Sequence, residues 1–345
     1  MISTDFTTGK FNLLNPEGNF AIPTIINIHS DAVGKFMNGK VFIVNRRNRD
    51  SILVLNPNNA FLPEKEFSVG SGTNPYDIIQ VGNKAYVSLY ERNYIPIYNL
   101  DSGQEISRID LSAYSENFSA GGTLDNLPET SFMYLEGNSI YVLLQRLDRN
   151  DPTAPLPPNS DSMLLEIDSR TDKIISSYIT PSRNCLSRIR KINFNSEPHL
   201  AFACPNRTGF ISKIDGGIVA FNLNTKKFRV GFLLSETETG GDISDFVIKN
   251  ETEGYAYSSD ANFNQTILEF NPSTGKRIIN LVNFSLSAGY ITGLALSNSG
   301  KLYVGDGGFS KPGVSIFDTT KSNKPRLTPT PINIDLRPSD IFVIE

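Results

Sequence analysis

Four aspartates, Asp31, Asp77, Asp245 and Asp340, each stand just ahead of a short apolar run, at matching points of a pattern that recurs along the chain. Hard cations take carboxylate oxygens, so acids brought together from equivalent places could hold a divalent ion. An Asp at the start of a strand also has a plainer role, accepting hydrogen bonds from nearby backbone N–H groups and shaping its turn. Repetition favours that plainer role, because a single site seldom needs one part in every repeat. A second set of residues is cationic. Arg46 and Arg47, Arg92, Arg146 and Arg149, and Arg207 follow apolar runs, while Arg188 and Arg190 precede one. Guanidinium groups gathered on one rim suit a carboxylate, a phosphate or an acidic glycan. Tyr90, Tyr94 and Phe263 stand where they could stack beside such a ligand, and Glu91, Asp148 and Asp151 are the acids that could instead neutralise it. The expected ligand contacts are Tyr90, Arg92, Arg146, Arg149 and Arg188.

Other chemistries find less support. His29 and His199 are the only histidines, and neither lies in a nucleophile motif with Ser or Cys. His199 is expected to open an outer strand as a half-exposed residue. The chain has no Gly-rich phosphate loop between a strand and a helix, and no motif for haem or a quinone-type cofactor. Asp260–Asn264 and Asp306–Phe309 resemble fragments of calcium loops without the required spacing, and the same composition makes a hairpin turn. Cys185 and Cys204 are the only cysteines; they flank a hairpin turning near 195–198, close enough to form a disulfide or to remain two buried thiols.

Composition narrows the classes further. The chain has 345 residues, a net charge of -4 and 20% charged residues, which argues against nucleic-acid binding as its main work. No stretch reaches the roughly 18 apolar residues a membrane span needs. Met1 leads directly into what aligns with the middle of a strand, so an export segment or tether is expected ahead of it.

The elements that position these residues repeat. Seven short apolar runs end in Asn or Asp at 15, 56, 99, 168, 222, 271 and 318, each followed by turn-forming residues. The spacing runs from 41 to 69 residues, and the step from Asp318 through the C-terminus back to Asn15 is 42. A strand-built repeat of this length that closes on itself predicts an all-β, seven-bladed β-propeller of four-stranded blades. The expected blades are 1–28 with 338–345, then 31–70, 74–112, 129–181, 186–234, 242–286 and 289–335. Residues 340–344 are expected to pair antiparallel with a strand from 1–6, so the ring closes as three strands plus one and two sheet edges disappear. The 69-residue step reflects a Pro- and Asp-rich insertion at 148–162, read as a long loop.

The Ala85–Ser88 and Leu302–Gly305 motifs follow Asn/Ser-Gly-type turns, and Asn271-Pro-Ser-Thr-Gly275 follows an apolar run. In these motifs the chain resembles the YVTN-repeat, YncE-like family over its whole length. The resemblance implies a propeller, commonly exported or surface-exposed; the wider superfamily includes lactonases, cofactor-bearing enzymes and binding proteins. The leading expectation is therefore an exported, monomeric, non-enzymatic propeller binding a protein, glycan or small acidic ligand at the mouth of its channel. The alternatives are a metal-assisted, lactonase-like hydrolase using Asp31, Asp77, Asp245 and Asp340, and a self-assembling surface-layer component. No cofactor is expected beyond a divalent cation in the channel.

Overall fold

The computed structural model describes residues 1–15, 20–115, 125–149, 160–209 and 212–345. Most of the 148–162 insertion, 150–159, lies outside the described residues.

Alternating apolar and polar residues separated by Gly and Asn turns make short antiparallel hairpins. These assemble into seven sheets, with strands ordered A to D in six of them and A to C in the seventh. Blade II runs Ala32–Met37, Lys40–Asn45, Ser51–Asn56 and Leu62–Ser68. Blade III runs Pro75–Val81, Lys84–Leu89, Tyr94–Asn99 and Glu105–Asp110. Blade IV is Thr130–Glu136, Ser139–Leu144, Met163–Asp168 and Lys173–Ile179. Blade V is Arg190–Phe194, Glu197–Cys204 and Gly217–Asn222, with a D strand split between Lys227–Phe228 and Leu234–Ser235. Blade VI is Asp242–Asn250, Glu253–Ser259, Gln265–Asn271 and Lys276–Phe284.

Blade VII has three regular strands, Ile291–Leu296, Lys301–Asp306 and Gly313–Asp318. Its outer edge is held only by isolated bridges, Val314 to Ile332 and Phe317 to Arg326. Pro325, Pro329 and Pro331 explain this, since proline cannot donate to a ladder. Blade I closes the ring: Arg337–Asp340 is its strand A, followed in space by Ile2–Thr4, Gly9–Leu14 and Ala21–Ile28. The closing ladder pairs Ile2 with Asp340 and Thr4 with Arg337. It lies a few residues nearer the N-terminus of the tail than the expected 340–344. Ile341 to Ile344 instead alternate into two cores, Ile341 and Val343 toward blade VII and Phe342 and Ile344 toward blade II.

Each sheet buries both faces against its neighbours, which gives one apolar core per blade junction, seven among the described residues. Polar clasps lock three of the junctions. Tyr86 of blade III donates its hydroxyl to Ser169 O (3.1 Å) and to Asp172 of blade IV, while Lys84 pairs with Asp172 at 2.6 Å. Tyr141 and Tyr178 donate to Glu166 at 3.0 and 2.9 Å, and Lys226 of blade V closes on the same carboxylate at 2.7 Å. Tyr255 donates to Glu253, which Lys324 of the blade VII edge reaches at 2.9 Å. His199 sits in this second-strand position in blade V. It is 6% exposed and packs edge-on against Phe194, so it is a core residue of strand B and not the half-exposed outer-strand residue expected.

Candidate functional site

Strand A of every blade lines the central channel. Hairpin register places Asp77, Asp245 and Asp340 at one level of it, opposite Ser88, Tyr257 and Ile2 respectively. Each carboxylate reaches forward to the next blade. Asp77 accepts from Met133 N (2.8 Å), Asp245 from Leu294 N (3.1 Å) and Asp340 from Gly34 N (2.7 Å). A Cβ at Gly34 would run into the Phe342 ring, so only glycine lets the tail pack so closely there.

Each acid also has a cation. Lys35 pairs with Asp77 at 2.7 Å, Arg188 takes Asp340 through both carboxylate oxygens at 2.7 and 2.8 Å, and Arg190 stands 3.6 Å from Asp245. Burial pushes Lys35 below the usual lysine range despite Asp77. Burial also works against the charge of Arg188, but Asp340 and Asp77 outweigh it and hold that group up. Arg190, with the more distant partner, is pushed down by burial. The channel is thus crossed by three ion pairs of balanced charge. Among the described residues no three or more His, Cys, Asp or Glu side chains gather closely enough to hold a metal ion. Asp31 stands apart from the other three. Val33 occupies their level in blade II, opposite Val44, and Asp31 lies on the rim, held by both Nε and an Nη of Arg46 at 2.9 and 2.6 Å.

The D–A and B–C loops leave the ring on one side, and there an aromatic cluster forms the channel mouth. Tyr76 stacks on Tyr90 with centroids 5.4 Å apart and meets Phe132 edge-on at 5.0 Å. Arg46 lies over Tyr76 (5.3 Å), Arg149 over Tyr90 (4.9 Å) and Arg188 over Phe132 (5.2 Å). Such contacts are worth about 0.5–2 kcal/mol each. Tyr90 donates to Gln145 Oε1 at 2.7 Å, and burial pushes the Tyr76 and Tyr90 hydroxyls above the ordinary tyrosine range, so both stay neutral.

The expected ligand residues divide by what they touch. Arg149 is committed to its own fold. Its Nε donates to Glu129 at 2.7 Å, and its other nitrogens reach Glu91 and Tyr90 O. Burial pushes the fully enclosed Glu129 carboxyl up to about 8 against the pull of Arg149. Arg188 is spent on Asp340. Arg146, at a positive φ of 56°, donates to Asp161 O (2.8 Å) and Ser115 O (3.0 Å). Arg92 is different. Its guanidinium donates to Ser71 O and Gly72 O, both at 3.0 Å, and to Glu91 O, and among the described residues it has no carboxylate partner. Exposed Arg47 on the neighbouring loop likewise has none. Tyr94 lies away from the mouth, under Arg108 on the outer strands (4.2 Å).

Tyr76, Phe132, Lys35 and Glu129 complete the mouth, and sequence reasoning did not single them out. Tyr76 was detectable as the neighbour of Asp77, since the two sit side by side at the head of one strand. Asp260 and Asp306 each cap their own turn, accepting from Asn262 N (2.8 Å) and Gly308 N (2.9 Å). Cys185 and Cys204 form a disulfide, both fully buried, which ties the D–A loop entering blade V to the end of its strand B.

This geometry defines a seven-bladed β-propeller, a fold consistent with a binding or scaffold role. No protein-family model and no curated protein matches the chain. Among solved structures its fold is similar to a chain of hydrazine synthase from Kuenenia stuttgartiensis, with a TM-score of 0.60 and 14% identity over 92% of this chain and 91% of that one. At that identity the likeness concerns the fold alone.

Proposed function

We propose that this chain is an exported, non-enzymatic binding propeller whose channel mouth, between blades II and V, takes a small acidic ligand or acidic glycan. The observation that carries the reading is the stacked Tyr90–Tyr76–Phe132 cluster beside two arginines, Arg47 and Arg92, whose charge no carboxylate neutralises among the described residues. Aromatic edges give a sugar or a planar acid an apolar wall, and a guanidinium fixes the anion. The ion pairs of the channel support binding over hydrolysis, because Asp77, Asp245 and Asp340 are each bound to a cation and a backbone N–H. The buried disulfide supports an oxidising compartment. The repeat motifs support kinship with YVTN-repeat, YncE-like proteins.

Calorimetric titration with galacturonate oligomers and their neutral galactose counterparts tests the reading. The acidic series binds the wild type, and Arg92→Ala weakens it about tenfold while the melting temperature holds. Equal binding of both series, or of both proteins, would sink it.

A further inference from the structure

In a ring of seven, blade VII stands opposite the junction of blades III and IV, and so across the channel mouth from Tyr90, Tyr76 and Phe132. Two loops of blade VII meet on that same face. One is the D–A loop 285–290, which enters the blade, and the other is its B–C loop 307–312. Backbone bonds stitch them together: Gly307 N donates to Tyr290 O at 2.8 Å, and Phe309 N to Ala288 O at 3.0 Å. Glycine permits the contact. A Cβ at Gly307 would come within 2.9 Å of the Tyr290 ring, and one at Gly289 would meet Gly308 Cα at 2.5 Å. Asp306 accepts from Gly308 N and fixes the start of the B–C loop.

The two loops hold an aromatic platform open to solvent. Phe309 meets Tyr290 with centroids 6.4 Å apart and is still 51% exposed. Arg337, at the head of strand A of blade I, lies over the Phe309 ring at 5.4 Å. Among the described residues neither Arg337 nor the exposed Lys311 has a carboxylate partner. The nearby acids are committed elsewhere, Asp335 to Lys10 and Asp306 to the backbone of its own turn. The opposite side of the mouth has the same equipment, stacked rings beside two cations that no acid neutralises. Arg188 joins the two sides through the channel, lying over Phe132 at 5.2 Å and pairing with Asp340 at 2.7 Å. From Asp340 back to Arg337 along one strand is about 10 Å at the usual rise. The two aromatic groups therefore stand on the order of 20 Å apart.

We propose that Tyr290, Phe309, Lys311 and Arg337 form a second subsite, so that the mouth grips an acidic glycan chain at two points and not a single acidic sugar. This rests on the reading of the mouth given above and adds the length of the ligand to it. A sugar ring lies against Phe309 while its carboxylate meets the guanidinium of Arg337. Once one chain reaches both points the second contact is intramolecular, so affinity climbs steeply at the length that spans the gap. Shorter chains hold one point at a time.

The test is calorimetric titration with galacturonate oligomers, from the disaccharide to chains long enough to span the mouth. The wild type should bind the long chains at least about tenfold more tightly than the disaccharide, with a step at the spanning length. Arg337→Ala combined with Lys311→Ala should bring the long chains down to the affinity of the disaccharide. Lys311→Glu, at an exposed side chain, gives the same readout if the double variant does not fold. A disaccharide that binds while added length gains nothing, or a length step that survives both variants, overturns the second subsite and leaves the first standing. Absence of binding at every length removes both.

Discussion

Arg92 and Arg149 share one rim and one residue type, but they differ in what each touches. Arg149 donates to the buried Glu129, to Glu91 and to Tyr90 O, so Arg149→Ala breaks a half-buried network and should cost about 1–3 kcal/mol, with Glu129 taking up a proton. Arg92→Ala gives up only loop carbonyls at a half-exposed site and should stay within about 0.5 kcal/mol. Urea unfolding of the two variants measures the contrast; equal losses would mean that Arg92 is structural as well. Glu236 gives a second test at this scale. Burial pushes its carboxyl up to about 7 although Gly216 N and Ile243 N both donate to it. Its folded value lies above its unfolded one, so the stability it contributes is complete below about pH 4.5 and is lost as pH rises toward 7. The melting temperature should therefore decline across that window, and Glu236→Gln should flatten the decline even if it lowers stability throughout. A wild-type slope unchanged in the variant would refute this assignment. The rim arginines were legible in the sequence because they follow strand B in blades II to V. Their partners were not, because Asp340 lies far from Arg188 in sequence and Glu129 meets Arg149 only once the loops of blade IV are folded together.

At the scale of elements, the bond from each channel Asp to the next blade's backbone couples neighbouring sheets. Asp77→Ala would free Met133 N and strand Lys35 in a buried site, at a cost of about 3 kcal/mol. Val33→Ala, at the same level in blade II, breaks no polar contact and should cost less; thermal unfolding of the pair decides whether the tie matters. Tyr86→Phe should cost about 1 kcal/mol by removing the donor to Asp172 while keeping the ring. The hairpins were legible because their signals are local. Gly82-Asn83 and Gly137-Asn138 mark turns without help from the rest of the chain. The outer edge of blade VII was not, since its prolines leave only isolated bridges. Nor was the place of His199, because only the finished blade shows that it fills a position given to tyrosine elsewhere.

The whole molecule is a ring whose seven junctions are alike in kind, and whose closure rests on a four-residue strand and the core beneath it. Deleting 337–345 removes strand A of blade I, exposes two sheet edges and should replace one cooperative transition with aggregation or a broad melt. Ring closure was readable from repeat spacing alone, since the last interval returns to the first repeat. The ligand face was less so, because its surface is assembled from loops of four blades whose side chains meet only in three dimensions. Hydrogen exchange with and without galacturonate oligomers tests that face most directly. The account predicts added protection at the loops 46–50, 70–76 and 90–93, with the opposite hairpins at 81–84 and 136–139 unchanged. Protection confined to those hairpins, or none anywhere at saturating ligand, would contradict it.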